Sequence, residues 1–372
     1  MNIARRHNLI RVVVADDSQV TQELLREIID AESDMIVVGT ATTGRDTVAQ
    51  VAKLRPDLVT MDVVMPDGDG ISATKHIMSQ CATPIAVVTA TPADRFSNVS
   101  FEALAAGAVE VFAKPHRRTL SDAAERAAFV RNLRYVAHVG VVSIRGPVRR
   151  SDRLAAPGLN GLAEPVPAQR RSLPETAALI AIGASTGGPP CIRTVLSSLD
   201  PSTAPAVLVV QHMGRDFIPG FATWLGETVP LPVQIAVDGM RISPGQVYIA
   251  PGEMHLTVDA RGKLHTYAGT PHLHQRPSVD VLFHSVAEAF GERAVGVLLT
   301  GMGEDGAAGL SAMRTSGAVT IAQDEESCVV FGMPKAAIQR DAASITGNPL
   351  GIAWQLRHVT ARQLSPWPRP LG

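Results

Sequence analysis

Three apolar runs in this sequence each end on a side chain suited to hydrolysis. They are LIAIGAST (Leu179–Thr186), AVLVVQHM (Ala206–Met213) and AVGVLLTGMGEDG (Ala294–Gly306), and they deliver Ser185, His212 and Asp305. A hydroxyl nucleophile, an imidazole base and a carboxylate that orients the base make a hydrolytic triad. Gly183–Gly187 reads G-A-S-T-G, the G-x-S-x-G form of a nucleophile elbow. Glycines there permit a sharp turn into a helix expected to start near Thr186, whose free N–H groups can face an oxyanion. His212 could take the Ser185 proton, and Asp305 could fix the imidazole tautomer. The Met302 N–H, in the same glycine-rich loop as Asp305, is a candidate oxyanion donor.

Each residue also has a plain structural reading. The elbow could be a glycine-rich turn, His212 a satisfied buried histidine, and Asp305 a turn residue or the N-cap of a helix over Ala307–Met313. The order Ser, His, Asp differs from the Ser, Asp, His order of α/β-hydrolases, so the elbow does not establish that fold. Asp280 in RPSVDVLF competes with Asp305 as orienter, with a cap beside the helical run Val279–Phe290 as its alternative. Arg276 could contact a substrate carboxylate or brace its loop. His272 and His274 resemble a metal pair, but no carboxylate or cysteine cluster accompanies them in sequence, which favours loop histidines.

A second constellation occupies the first half. Asp16 and Asp17 follow one expected strand; Asp62, Thr89 and Lys114 end three others, with Pro115 next. Gathered at one rim, the carboxylates repel one another unless a cation joins them, and hard oxygen ligands suit Mg²⁺. Asp62 could then attack a phosphoryl group, Lys114 could balance the added charge, and Thr89 could hydrogen-bond the acyl phosphate. Singly, the aspartates could cap a helix near Gln19, MPDGDG could be turn chemistry, and Lys114-Pro115 an exposed loop. Their joint placement at strand ends favours the functional reading.

The elements that must carry these groups alternate. Strands are expected at Arg11–Ala15, Ile36–Thr40, Leu58–Asp62, Ile85–Thr89 and Val109–Ala113, with helices at Gln19–Ala31, Thr47–Leu54 and Thr119–Ala137. Alternation implies an α/β fold with a doubly wound parallel sheet whose strand ends share one side. Residues 116–171 hold eleven arginines against four acids, and Arg145–Pro174 lacks apolar periodicity. That stretch reads as a solvated linker, with an anionic docking strip as the alternative. Beyond it, strand and helix alternate again around a strand-and-turn section, Val233–Tyr267, which suggests a mostly parallel sheet with an antiparallel hairpin extension. The expected division is 9–137, a basic linker over 138–175, and 176–364.

With 372 residues and 45% hydrophobic content, two cores are affordable, and 4% aromatic content favours aliphatic packing. A net charge of −1 gives no global reason to expect nucleic acid or an anionic membrane surface. No apolar run approaches the ~20 residues of a membrane span, and the N-terminus shows no signal-peptide core. Cys81, Cys191 and Cys328, without CxxC spacing, read as free thiols of a cytoplasmic protein.

VVVADDS, LVTMDVVMPDGDG, AVVTA and AGAVEVFAKP resemble response-regulator receiver domains over Leu9–Ala137. That resemblance implies a (βα)5 fold, phosphorylation of Asp62 by a histidine kinase, Mg²⁺ held by Asp16, Asp17 and Asp62, and a switch through Thr89 and Lys114. Phe112 stands where many receivers carry an aromatic switch residue. IGASTGGP, VVQHM, RPSVDVLFHSVA, GVLLTGMGEDGAAG and SCVVFGMPKAA resemble the catalytic domain of chemotaxis protein-glutamate methylesterases over Ala178–Ile345. The resemblance implies Ser185 as nucleophile, His212 as base, Asp305 as its partner, and backbone oxyanion donors at Thr186 and Met302. It implies hydrolysis of γ-glutamyl methyl esters on chemoreceptors, deamidation of particular receptor glutamines, and no cofactor in the catalytic domain. A phosphorylation-controlled adaptor and a small-molecule esterase are the alternatives, and the joint presence of three triad candidates argues against the adaptor.

Overall fold

Buried β-branched strands and amphipathic helices alternate along the whole chain. The computed structural model describes residues 9–66, 70–89, 97–139 and 173–361. In the first part the order is β1 (Ile10–Ala15), α1 (Gln19–Asp30), β2 (Met35–Ala41), α2 (Gly44–Leu54), β3 (Leu58–Met61), α3 (Gly70–Gln80), β4 (Ile85–Thr89), α4 (Ser97–Ala105) and β5 (Glu110–Ala113). These strands form one parallel sheet in the order β2-β1-β3-β4-β5. β3 and β4 are buried at every position, as continuous apolar strands between two helical layers must be. All five strands lie within one residue of the expected bounds at either end, and Asp62 follows β3 rather than closing it.

Two helices differ from the sequence reading, and a capping side chain explains each. α2 starts three residues before the expected Thr47, because the Thr43 hydroxyl accepts the Asp46 N–H and caps the helix there. The helix expected over Thr119–Ala137 is two, α5 (Arg117–Ser121) and α6 (Ala123–Ala137). Asp122 between them turns extended, and its carboxylate accepts the Ala124 and Glu125 N–H groups. The MPDGDG turn at 67–69 and most of the expected linker lie outside the described residues.

The second part begins with β6 (Thr176–Ala177) and continues β7 (Leu179–Ala184), α7 (Gly188–Leu196), β8 (Ala206–Gln211), α8 (Ile218–Thr228), β9 (Val233–Ile235), β10 (Val247–Ile249), β11 (His255–Val258) and β12 (Leu264–Tyr267). It closes with α9 (Val279–Phe290), β13 (Ala294–Leu298), α10 (Ala307–Thr315), β14 (Val319–Gln323), α11 (Met333–Gln339), β15 (Ile345–Gly347), α12 (Pro349–Leu356) and β16 (Thr360–Ala361). Seven strands make a parallel sheet in the order β15-β14-β13-β7-β8-β10-β9. From the strand-and-turn section, β9 and β10 join this sheet, and β11 pairs with β12 as a separate antiparallel hairpin. β6 and β16 pair with each other.

The chain leaves β7 toward β8 on one side and later returns to β13 on the other. The carboxyl end of β7 is therefore a topological switch point, where open α/β sheets hold their ligands. The two sheets' helical layers meet beside it. α4 packs on α8, with the Phe101 ring 5.5 Å from Trp224 and 5.6 Å from Phe221. Val329 and Val330, from the loop after β14, join the apolar cluster that contains Val12, Val88, Phe112 and Phe129. Among the described residues no helix is long and apolar enough to cross a membrane.

Candidate active site

β7, β8 and β13 are neighbours, so the groups that follow them share one rim. The His212 N–H donates to the Ala184 carbonyl at 2.9 Å, which fixes the base beside the residue that precedes Ser185. Ser185 is pinned by its own backbone: its N–H donates to Thr300 O at 3.0 Å, and its carbonyl accepts Gly188 N–H and Gln211 Nε2, both at 2.8 Å. α7 begins at Gly188, two residues beyond the expected Thr186, because Gly187 turns left-handed at φ 76°. The strand end and the helix start are thus separated by a turn that leaves Ser185 and Thr186 at the rim. Across it, Gly301 closes against the nucleophile; a Cβ there would sit 2.7 Å from the Ser185 Cβ.

His212 Nε2 lies 2.9 Å from Asp305 Oδ2, and both side chains are buried. The other ring nitrogen, Nδ1, is buried and has no hydrogen-bond partner among the described residues. An imidazole that donates Nε2–H to Asp305 keeps its Nδ1 lone pair free, which is the state a general base requires. Asp305 does not cap α10, where Gly306 stands at the N-cap. Instead it accepts the Ser278 hydroxyl at 2.8 Å and the Val279 and Asp280 N–H groups at 2.8 and 3.0 Å, at the start of α9. Burial pushes its pKa upward, but His212 and these donors outweigh burial and hold it below the usual carboxylate value.

Asp280 does not orient His212. Its Oδ1 accepts Gly309 N–H at 2.6 Å, and its Oδ2 lies 3.2 Å from His272 Nε2. Burial first, and the charge of Asp305 next to it, raise its pKa. The sequence shows no carboxylate near His272, yet the fold brings Asp280 and Asp305 to it, with ligand atoms within 4.8 Å of one another. Those carboxylates are already engaged by α9 and α10, so His272 braces the loop that carries it, and His274 joins no such cluster. Arg276 braces as well, with Nη1 donating to Gly269 O at 2.8 Å. Met302 is exposed at the rim, 38% accessible, on the loop between Gly301 and Asp305.

Sequence reasoning passed over Ser278, Thr300, Gln211 and Glu110. Ser278 carries an N-cap signal before α9, while its bond to Asp305 spans 27 residues and leaves no local trace. Glu110, on β5 of the first sheet, hydrogen-bonds the Thr186 side chain, and burial raises its carboxyl from 4.5 to about 7.

At the carboxyl end of the first sheet, Asp16, Asp17 and Asp62 offer carboxylate oxygens within 4.8 Å of one another. Lys114 Nζ lies 2.8 Å from Asp16 Oδ2 and 2.6 Å from Asp62 Oδ2. Burial lifts the Asp16 pKa despite this ammonium; the same two carboxylates raise that of Lys114 against its own burial. Thr89 is buried beside them, and its carbonyl accepts the Lys114 N–H at 2.7 Å. All five groups expected at this rim are therefore brought together, and the donor set, all hard oxygen, fits a divalent cation.

Two family models match the chain: the response regulator receiver domain over residues 12–125 and CheB methylesterase over residues 180–356. A protein-glutamate methylesterase/protein-glutamine glutaminase 1 of Syntrophus aciditrophicus is 40% identical over 93% of this chain and 97% of its own. A protein-glutamate methylesterase/protein-glutamine glutaminase 4 of Geobacter metallireducens is 41% identical over 92% of this chain and 96% of its own. Among solved structures, the Thermotoga maritima CheB methylesterase catalytic domain is 36% identical over 49% of this chain and 97% of that one, with a TM-score of 0.47. With both domains matched in order and full-length relatives aligned nearly end to end, the chain belongs to the CheB family, the protein-glutamate methylesterases/protein-glutamine glutaminases that carry a receiver domain.

Proposed function

We propose that this chain hydrolyses γ-glutamyl methyl esters of chemoreceptors to glutamate and methanol, and deamidates particular receptor glutamines at the same site. The observation that carries the reading is the His212–Asp305 pair at 2.9 Å, with Nδ1 left free at the rim where β7 delivers Ser185. Ser185 Oγ attacks the ester carbonyl while His212 Nδ1 takes its proton. Asp305 holds the imidazole in that tautomer and stabilises its cation. The oxyanion faces the Thr186 and Met302 N–H groups, and one such donor contributes about 10²–10³ in rate. His212 returns the proton to methanol or ammonia, and then activates the water that frees Ser185.

In this reading residues 9–137 form the receiver, 138–175 a linker and 176–364 the catalytic domain. A chemotaxis histidine kinase serves as phosphodonor, and the enzyme works in the cytoplasm on the exposed parts of membrane receptors. Asp16, Asp17 and Asp62 would hold Mg²⁺, which neutralises charge during phosphoryl transfer to Asp62. Lys114 and Thr89 then respond to the added phosphoryl group. The receiver's α4–β5 side rests against the rim that holds Ser185, so unphosphorylated enzyme is closed, and phosphorylation weakens that packing.

The test is methanol release from methyl-labelled receptor membranes, with and without Mg²⁺ and a small phosphodonor. Release that rises with phosphodonor and disappears in Ser185→Ala is expected. Folded protein that releases nothing under any condition would favour the non-enzymatic adaptor.

A further inference from the structure

Glu110 brings a glutamate side chain from the receiver to the residue beside the nucleophile. Part of the residue reaches solvent, but its carboxyl is densely surrounded by protein and receives a hydrogen bond from the Thr186 hydroxyl. Its backbone is fixed on both sides: β5 is held in register with β4, where Glu110 lies opposite Ala86, and the Val111 N–H donates to its Oε1 at 3.2 Å. Thr186 is fixed too, its carbonyl accepting the Thr300 hydroxyl at 3.0 Å. Two rigid elements of different domains therefore meet through one carboxyl and one hydroxyl.

The chemistry of the contact matches the chemistry of the reaction. A γ-carboxyl on a two-methylene stem is the product of glutamyl ester hydrolysis, and its neutral form differs from the substrate by one methyl group. We infer that Glu110 occupies the place of the substrate's γ-carboxyl group, as an internal product mimic, and that the Thr186 hydroxyl is the subsite that reads this group. Closure is then competitive with substrate: the receiver excludes receptor glutamyl esters by presenting a glutamate of its own. Phosphorylation withdraws Glu110 as β5 moves with Lys114, four residues along the same strand end. The inference rests on the esterase reading and adds to it a named inhibitory side chain and a substrate contact.

The full-length protein with Glu110→Ala tests it. Loss of one hydrogen bond to a carboxylate predicts a rise of about three- to tenfold in methanol release without phosphodonor. Incorporation of phosphoryl groups at Asp62 should stay at the wild-type level, which shows that the receiver remains folded. N-acetylglutamate, a free ligand of the product class, should bind unphosphorylated Glu110→Ala about three- to tenfold more tightly than unphosphorylated wild type, as followed by calorimetry. Glu110→Gln, which keeps the shape and the hydrogen bond, should stay closed. Equal N-acetylglutamate affinity in Glu110→Ala and wild type, or unchanged release from Glu110→Ala, would overturn the assignment. The calorimetry needs no turnover, so wild type without esterase activity would sink the esterase reading and leave this comparison standing.

Discussion

Asp305 shows how one carboxylate can serve stability and chemistry together. It closes the N-terminus of α9 through Ser278, Val279 and Asp280 and also holds His212. Asp305→Asn keeps the shape but presents an amide to His212 and to three donors. Turnover should fall roughly 10²–10⁴-fold, the scale seen when a triad base takes the wrong tautomer, with a loss of about 1–3 kcal/mol in stability. Steady-state kinetics and denaturant melts of the same variant separate the two effects. Glu110 gives a pH prediction with a definite sign. Its carboxyl is raised from 4.5 to about 7 when docked, by burial, against hydrogen bonds from Thr186 and Val111 and with no ionised neighbour contributing. Docking therefore binds a proton. It is strongest below about 4.5, weakens as pH rises toward about 7, and is weakest above that. The ratio of unphosphorylated to phosphorylated turnover should rise across that window in wild type and stay flat in Glu110→Gln. The ratio is the proper readout, because both states share the titration of His212.

At the scale of elements, the site depends on loops that approach more closely than side chains allow. The β13–α10 loop passes Ser185 at Gly301, where an added methyl would meet the Ser185 Cβ at 2.7 Å and overlap the Met333 sulfur. In Gly301→Ala the loop must move outward, taking Met302 with it. A displacement near 1 Å from the productive geometry costs about 10²-fold. The phosphorylated variant should therefore lose about that factor in kcat; turnover within threefold of wild type would show that the loop accommodates the methyl without moving the site. Capping decides other element boundaries. Thr43 starts α2 early, and Asp122 divides α5 from α6, each by giving backbone N–H groups a local acceptor.

For the molecule as a whole, the junction between α4 and α8 sets how firmly the rim is covered. Phe101, 1% exposed, packs its ring on Phe221 and Trp224. Truncating a buried phenylalanine costs about 3–5 kcal/mol, and moving a two-state balance from 1:99 to 99:1 takes about 5.5. Phe101→Ala should thus shift most of the population toward the open form. Its turnover without phosphodonor should approach that of phosphorylated wild type, while phosphodonor adds little. Retention of the full wild-type activation ratio would show that this aromatic junction does not hold the closed state.

Much of this was legible in the residues themselves. Alternating buried strands and amphipathic helices determine two parallel sheets, because strand period, helix period and right-handed crossover leave few other arrangements. Strand ends then name Ser185, His212, Asp305, Asp16, Asp62, Thr89 and Lys114, since those are the positions that face a shared rim. Sequence could not choose between Asp305 and Asp280, which sit in loops of similar character. Tertiary structure decided it: α9 directs Asp280 to Gly309 and His272, and offers its free N–H groups to Asp305. Nor could sequence place Glu110 beside Thr186 or Phe101 beside Trp224. Those contacts join residues 76 and more apart, and periodicity carries no information about which surfaces of two separately folded sheets meet.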